Sequence, residues 1–291
     1  MPILSQLFTI HFAGDRKIWF DFRDFTRRKK NFKMPSLGHW GRGFTVILKI
    51  MNILTVLFNA ILYQPLFNAL VLLYIYLPGH DFGIAVIILT LVIKLIFYPL
   101  GTLAIKNQKV LTDLQPKIQE IQKKYKDDKE KQMRLTMELY QKEKINPFSG
   151  CLPLLIQLPI LIALYRVFWR GLQPAEMSFL YSFVPNPGPI KAGFLGLINL
   201  ATPNIFLAIL AGITQFLQVK MLTPKNQPKT QGKNTQFSDM LQKQTLYFFP
   251  LSTVVILWWL PSAIGLYWVV TTIFSIIQQY LILRKTQVAV N

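Results

Sequence analysis

The sequence predicts an all-α polytopic membrane protein, and three observations carry that class. Of 291 residues, 52% are hydrophobic and only 15% charged, with a mean hydropathy of +0.35, whereas a soluble domain carries about 25% charged residues. Apolar runs of about 20 residues, the length that crosses a bilayer, recur along the chain. Between them the basic residues gather: ten in 1–49, eleven in 105–148, five in 220–243 and two at 284–285. The net charge of +19 would suit a nucleic-acid binder. Basic clusters alternating with uncharged runs instead mark cytoplasmic loops, so no dedicated nucleic-acid site is expected. The 22 Phe, 11 Tyr and 6 Trp leave too much apolar surface for disorder. One cysteine (Cys151), three scattered histidines, and the absence of HExxH, GxSxG or a phosphate-binding glycine loop remove the usual marks of metal, hydrolytic or nucleotide chemistry.

Residues 1–43 form a basic arm without signal- or transit-peptide character, expected to lie outside the functional core. Met51 opens a run that could itself be an authentic start. Residues 44–63 make an N-terminal apolar segment, an additional span. Residues 64–81 begin with Gln64-Pro65 and are expected to lie along the outer leaflet as an interfacial helix. The next spans are 82–104, 149–171, 204–222, 244–260 and 262–283. The stretch 244–283 has forty residues without a charge, so Pro261-Ser262 near its middle should divide two helices.

With the basic N-terminus inside, 105–148 falls inside and 172–203 outside. A short tail, 284–291, is cytoplasmic. Arg166 and Arg170, near the outer end of their span, are expected to snorkel to headgroups. The charged loop 105–148 is not disordered. Leu111, Leu114, Ile118, Ile121 and Tyr125 recur at steps of three and four, as do Met133, Met137 and Tyr140, on either side of Lys126-Asp127-Asp128-Lys129. That pattern predicts an antiparallel helical hairpin, with Pro116 kinking its first helix or marking its start.

Lys94 stands midway in 82–105, on the order of 17 Å from either end at 1.5 Å per residue. A central lysine costs about 2.5–3.5 kcal/mol on insertion scales, yet no Asp or Glu lies inside any expected span. It is either a structural residue paired from outside its helix or a cation facing a watery cavity, and the missing internal partner favours the cavity. Thr90 lies one turn before it on the same face. Gln215 and Gln218 are spaced i,i+3 on the fourth span, and Gln157 stands between Pro153 and Pro159. Each glutamine serves equally well as interhelical glue. Tyr267 and Trp268 suit packing or an interface belt as readily as a site.

The segments LTLVIKLIFYPL (89–100), LQPKIQEIQKKYKDDKEKQ (114–132), INPFSGCLPLLIQLPILIALY (145–165) and LWWLPSAIGLYWVVTTIFSIIQQYLI (257–282) resemble the YidC branch of the membrane protein insertases, the family that includes the mitochondrial oxidase-assembly and chloroplast thylakoid insertases. The resemblance runs in order over about residues 64–283. It implies a five-helix insertase core, 82–283, carrying the hairpin 105–148 and the outer loop 172–203. It also implies a hydrophilic groove open to cytoplasm and lipid but closed to the outside. There a basic residue, usually arginine, draws in polar and often acidic segments of nascent membrane proteins.

Lys94 matches that residue, with charge kept and the bidentate fork lost. Thr90, Gln218 and Trp268 match groove-lining or substrate-contacting positions, and Gln215, Tyr267 and Gln157 join them as candidates. The implied protein is a non-enzymatic insertase and chaperone of the bacterial plasma (inner) membrane, without a cofactor. Its implied partners are nascent membrane proteins and membrane lipids, with the ribosome and the Sec translocon as further candidates. Two rival readings remain: a secondary transporter, against which the absence of internal repeats speaks, and a non-inserting assembly factor of a translocon, which would need no charged groove.

Overall fold

The computed structural model describes residues 41–144, 146, 152–171, 173–223 and 244–288. Residues 1–40 of the basic arm, Cys151, nearly all of the polar loop 223–243 and residues 289–291 of the tail lie outside them. The chain divides into two compact units, Met1–Ile53 and Leu54–Asn291. In the first, the described residues are the opening of a helix on which Ile50, Met51 and Ile53 are exposed. The second unit holds the core.

Helix α1 (Gly41–Phe58) leads through a π-helical turn (Asn59–Tyr63) into α2 (Gln64–Tyr76). The expected break at Gln64-Pro65 is absent: Lys49–Tyr76 is one apolar helix long enough to cross a bilayer. Pro65 lacks an N–H and would clash with the carbonyl four residues earlier. Widening the ladder into a π turn just before it lets the helix continue. One face of α2 is packed into the bundle, with Phe67, Asn68, Leu70, Val71 and Tyr74 buried.

Asp81 caps α3 (Phe82–Ile96) by accepting from the Ile84 amide at 2.9 Å, as short acidic N-caps do. After one non-helical residue, Phe97, the chain re-enters a helix as α4 (Tyr98–Lys124), bent 67° from α3. The expected straight span 82–104 is therefore broken. Pro99 explains the site of the break: its ring pushes the preceding residues away from helical geometry and removes a ladder donor. Pro116 sits inside α4 and does not start it.

Tyr125–Asp128 turns the chain into α5 (Lys129–Lys142), whose N-cap is Asp128. The hairpin forms as the periodicity requires, with Leu114 and Ile118 buried on α4. On α5 the seam differs. Met133 and Met137 are exposed, while buried Gln132 donates to the carbonyls of Gln122 and Tyr125. A polar side chain that satisfies two turn carbonyls outcompetes methionines for the inner position. Tyr140 is partly buried, and desolvation raises its phenol above the ordinary value.

Helix α6 (Leu152–Arg170), α7 (Ile205–Leu222), α8 (Phe249–Leu257, preceded by a π turn at Gln244–Phe248) and α9 (Ser262–Val288) complete the bundle. Pro261 divides the forty-residue uncharged stretch at the expected place. Among the described residues, Lys49–Tyr76, Ile205–Leu222 and Ser262–Arg284 are long and apolar enough to span a membrane, and α3 with α4 makes a fourth if the bent pair is one span. Leu155–Trp169 and Gln244–Leu257 are apolar but shorter. The latter is about 21 Å long at 1.5 Å per residue, because the chain already turns at Trp258–Leu260.

The segment between α6 and α7 is folded onto the bundle. It contains a 3-10 helix (Pro174–Phe179) and a two-stranded antiparallel pair, β1 (Gly193–Phe194) and β2 (Ile198–Asn199), with Gly193 opposite Asn199. Asn68, 2% exposed, donates to the Phe179 carbonyl and accepts from the Tyr181 amide. Asp81 accepts from the Leu195 amide, and the Ser262 and Ala263 amides donate to the Thr202 and Leu200 carbonyls. Phe194 lies against Gly83, where a Cβ would collide with its ring. Beneath this cap Tyr63, Phe67, Phe82, Val86, Leu164, Phe168, Leu200 and Ile264 form the core. Outward, Leu95, Ile96, Phe206, Leu217 and Ile277 are exposed, as a bundle solvated by lipid requires.

Arg166 does not snorkel. Its guanidinium lies 4.3 Å from the Tyr63 ring centre and 5.9 Å from that of Phe179, and it donates to Asn59 Oδ1 at 2.6 Å. The π turn presents Asn59 and Tyr63 together, and the Tyr63 hydroxyl donates to Glu176. A guanidinium offered both an aromatic face and a planar acceptor stays inside.

Candidate functional site

The bend at Phe97 puts Lys94 in the last turn of α3 rather than at the middle of a straight span. A helix C-terminus carries partial negative charge from its unpaired carbonyls, so a cation there is stabilised by about 0.3–1 kcal/mol. The side chain is partly buried and Nζ donates to Ser275 Oγ at 3.3 Å. Ion pairs among the described residues, Lys109–Asp113, Lys117–Glu143 and Arg134–Glu138, all lie in the hairpin region. Lys94 is in none of them.

Ser275 belongs to a polar ridge on α9. Its hydroxyl donates to the Thr271 carbonyl at 2.9 Å. Thr271, one turn from both Ser275 and Tyr267, buries its hydroxyl beside the Tyr267 phenol. Tyr267, 2% exposed, accepts a hydrogen bond from Gln157 Nε2 of α6. Lys94, Ser275, Thr271, Tyr267 and Gln157 thus form one polar seam between α3, α9 and α6. At its other end Gln278 Nε2 donates to the Tyr98 carbonyl at 3.0 Å and Thr102 Oγ1 at 3.1 Å. Gly101 admits this approach, since a Cβ there would stand 3.2 Å from the Gln278 amide. Gln278 therefore ties α9 to the first turns beyond the bend.

The remaining sequence-derived candidates lie elsewhere. Trp268 Nε1 donates to Gln215 Oε1 at 3.1 Å, and Thr272 donates to Thr214 Oγ1 at 2.8 Å, on the face of α9 toward α7. Gln218, one turn beyond Thr214, is partly buried and has no hydrogen bond among the described residues. Thr90, 1% exposed, gives its hydroxyl to the Val86 carbonyl of its own helix. Ser275, Thr271 and Gln278 escaped sequence reasoning. Their signal was present: Thr271, Thr272, Ser275, Gln278 and Gln279 recur at short intervals inside an uncharged run, where each polar group needs a partner.

Fold and seam together define an all-α, multi-pass membrane protein that holds the Lys94 cation against a hydroxyl-lined helix face. Residues 72–289 match the family model described as 60Kd inner membrane protein, and the chain belongs to that family. A relative from Fusobacterium nucleatum, called membrane protein insertase YidC, is 37% identical over 205 residues, covering 70% of this chain and 87% of its own. The protein of that name from Oceanobacillus iheyensis is also 37% identical, over 70% of this chain and 75% of its own length. The Magnetococcus marinus protein of that name is 34% identical over 72% of this chain, which spans only 33% of it. With its apolar helices and bacterial relatives, the chain is a multi-pass protein of the bacterial inner membrane.

Proposed function

We propose that this chain works as the insertase of its family by offering the Lys94 ammonium to polar segments of nascent membrane proteins along the seam between α3, α6 and α9. One observation carries the reading: a half-buried cation whose only hydrogen-bond partner among the described residues is a serine hydroxyl. A charge left without a carboxylate is free to attract one. Beside it Leu91, Val92, Leu95 and Ile96 are exposed, so an apolar client segment can lie on α3 while its polar flank meets Lys94. A cation reaching into the bilayer shortens the hydrocarbon path of that flank, and burial of the apolar segment in lipid supplies the driving force. No bond is made or broken. The folded cap 173–203 seals one end of the bundle, and the hairpin 105–148 receives client, ribosome or Sec translocon on the cytoplasmic side. Residues 1–43 lie outside the working core 82–283.

The test is insertion of a single-span client with an acidic translocated segment, read beside membrane abundance of each variant. Lys94→Arg retains insertion, whereas Lys94→Ala and Lys94→Glu impair it at normal abundance. Normal insertion by abundant Lys94→Ala protein refutes the reading.

A further inference from the structure

Each hydroxyl has one proton to give, and that of Ser275 goes to the Thr271 carbonyl. Its oxygen is left with lone pairs, one of which faces Lys94 Nζ. Ser275 is 8% exposed, so water does not readily replace it as acceptor. Lysine has a flexible four-carbon stem and three donors. One contact to a fixed acceptor selects among its rotamers and leaves two N–H groups for another ligand. Without that contact, the ammonium is free to swing toward the exposed α3 surface at Leu91 and Leu95.

We infer that Ser275 is a positioning residue: it holds the Lys94 ammonium on the α9 side of the seam and so sets how strongly the groove prefers acidic over neutral client segments. The inference rests on the function proposed above. With its proton committed to the backbone, the serine does not compete for the client's carboxylate, and it acts only through the cation. Replacing it leaves the backbone of α9 satisfied, because the Thr271 carbonyl keeps its helical N–H donor in Ser275→Ala. Ser275→Thr preserves the acceptor. Ser275→Asp puts a carboxylate beside the ammonium and occupies it.

The experiment uses the full chain in vesicles with two single-span clients that differ only in three translocated residues, aspartate in one and asparagine in the other. The reading is the ratio of acidic to neutral client inserted. A hydrogen bond to a charged group corresponds to about 10- to 150-fold, so Ser275→Ala lowers the ratio by about tenfold or more and Ser275→Thr restores it. Ser275→Asp lowers it as far as Lys94→Ala does. If Ser275→Ala keeps the wild-type ratio while Lys94→Ala loses it, Ser275 has no positioning role and the groove reading stands. If Ser275→Ala lowers both clients equally and Ser275→Thr does not rescue, Ser275 is a packing residue and the inference is overturned. If Lys94→Ala leaves the ratio intact, the groove reading falls and takes this one with it.

Discussion

Asn68→Leu tests whether the 173–203 cap is held by a few buried polar contacts. Asn68 is 2% exposed, and leucine is close to it in size, so the substitution leaves little cavity. What it removes is specific. Asn68 Oδ1 accepts from the Tyr181 amide at 2.7 Å, and Nδ2 donates to the Gln64 and Phe179 carbonyls at 2.7 and 3.0 Å. The Phe179 carbonyl keeps a second donor, Gln64 Nε2 at 3.1 Å. The Tyr181 N–H has no replacement. An orphaned buried donor costs about 1–3 kcal/mol, and each other lost bond about 0.5–1.5. The bond to Gln64 lies within α2, so from the other two the cap should open more easily by about 1.5–4.5 kcal/mol, which is about 10- to 2,000-fold in its opening equilibrium. Hydrogen exchange at Tyr181, measured on the membrane-embedded protein, should accelerate by that factor. Peptides from the hairpin 98–142 should exchange as before. An unchanged Tyr181 rate in a folded Asn68→Leu protein would refute the account of the cap.

Gly212→Leu should destabilise the bundle by about 1–3 kcal/mol or more, because a Cβ there meets Val254 and the Pro250 carbonyl; a lowered thermal midpoint in detergent checks it. Gln278→Leu should free the hairpin from α9 by removing the bonds to Tyr98 and Thr102, read as a broader distance distribution between spin labels on α4 and α9. Arg166→Leu leaves Asn59 and the Tyr63 ring without their cation, and should lower membrane abundance more than Arg166→Lys does. Single cysteines at Ser182 and Lys129, in a Cys151→Ser background, should react with an impermeant reagent from opposite faces. A chain starting at Met51 should still insert clients; stable accumulation without insertion would give the arm a function.

Much of the fold was legible because hydrophobic runs, caps and prolines act locally. Asp81, Asp128 and Asn204 begin helices at the expected places, and Pro261 splits the last apolar stretch where composition required a split. Tertiary choices were not legible. Pro65 reads as a helix end, yet a π turn absorbs it, and Pro99 lies inside a run whose hydropathy continues smoothly across the 67° bend. Methionines outrank a glutamine for a seam by hydrophobicity alone. Gln132 wins because two turn carbonyls need its amide, a demand visible only once the turn exists. Of the site, Lys94, Tyr267 and Gln157 share one seam, whereas Thr90 is spent within its helix and Trp268 and Gln215 pair toward α7.

The bend also bears on why a lysine can stand here without a counter-ion among the described residues. Central placement in a straight span costs about 2.5–3.5 kcal/mol. At a helix C-terminus about 0.3–1 kcal/mol returns through the carbonyl dipoles, and the charged hydrogen bond to Ser275 contributes about 1.5–3. These terms nearly cancel the cost, so folding needs no carboxylate at Lys94. Pro99 is the residue that makes this possible, since it ends α3 two residues after the lysine and sends α4 off at an angle. The same residue thereby exposes the cation and aims the hairpin. In the function proposed above, a cation neutralised by an internal acid would attract nothing. The chain holds its cation with dipoles and a hydroxyl, which stabilise the charge without cancelling it.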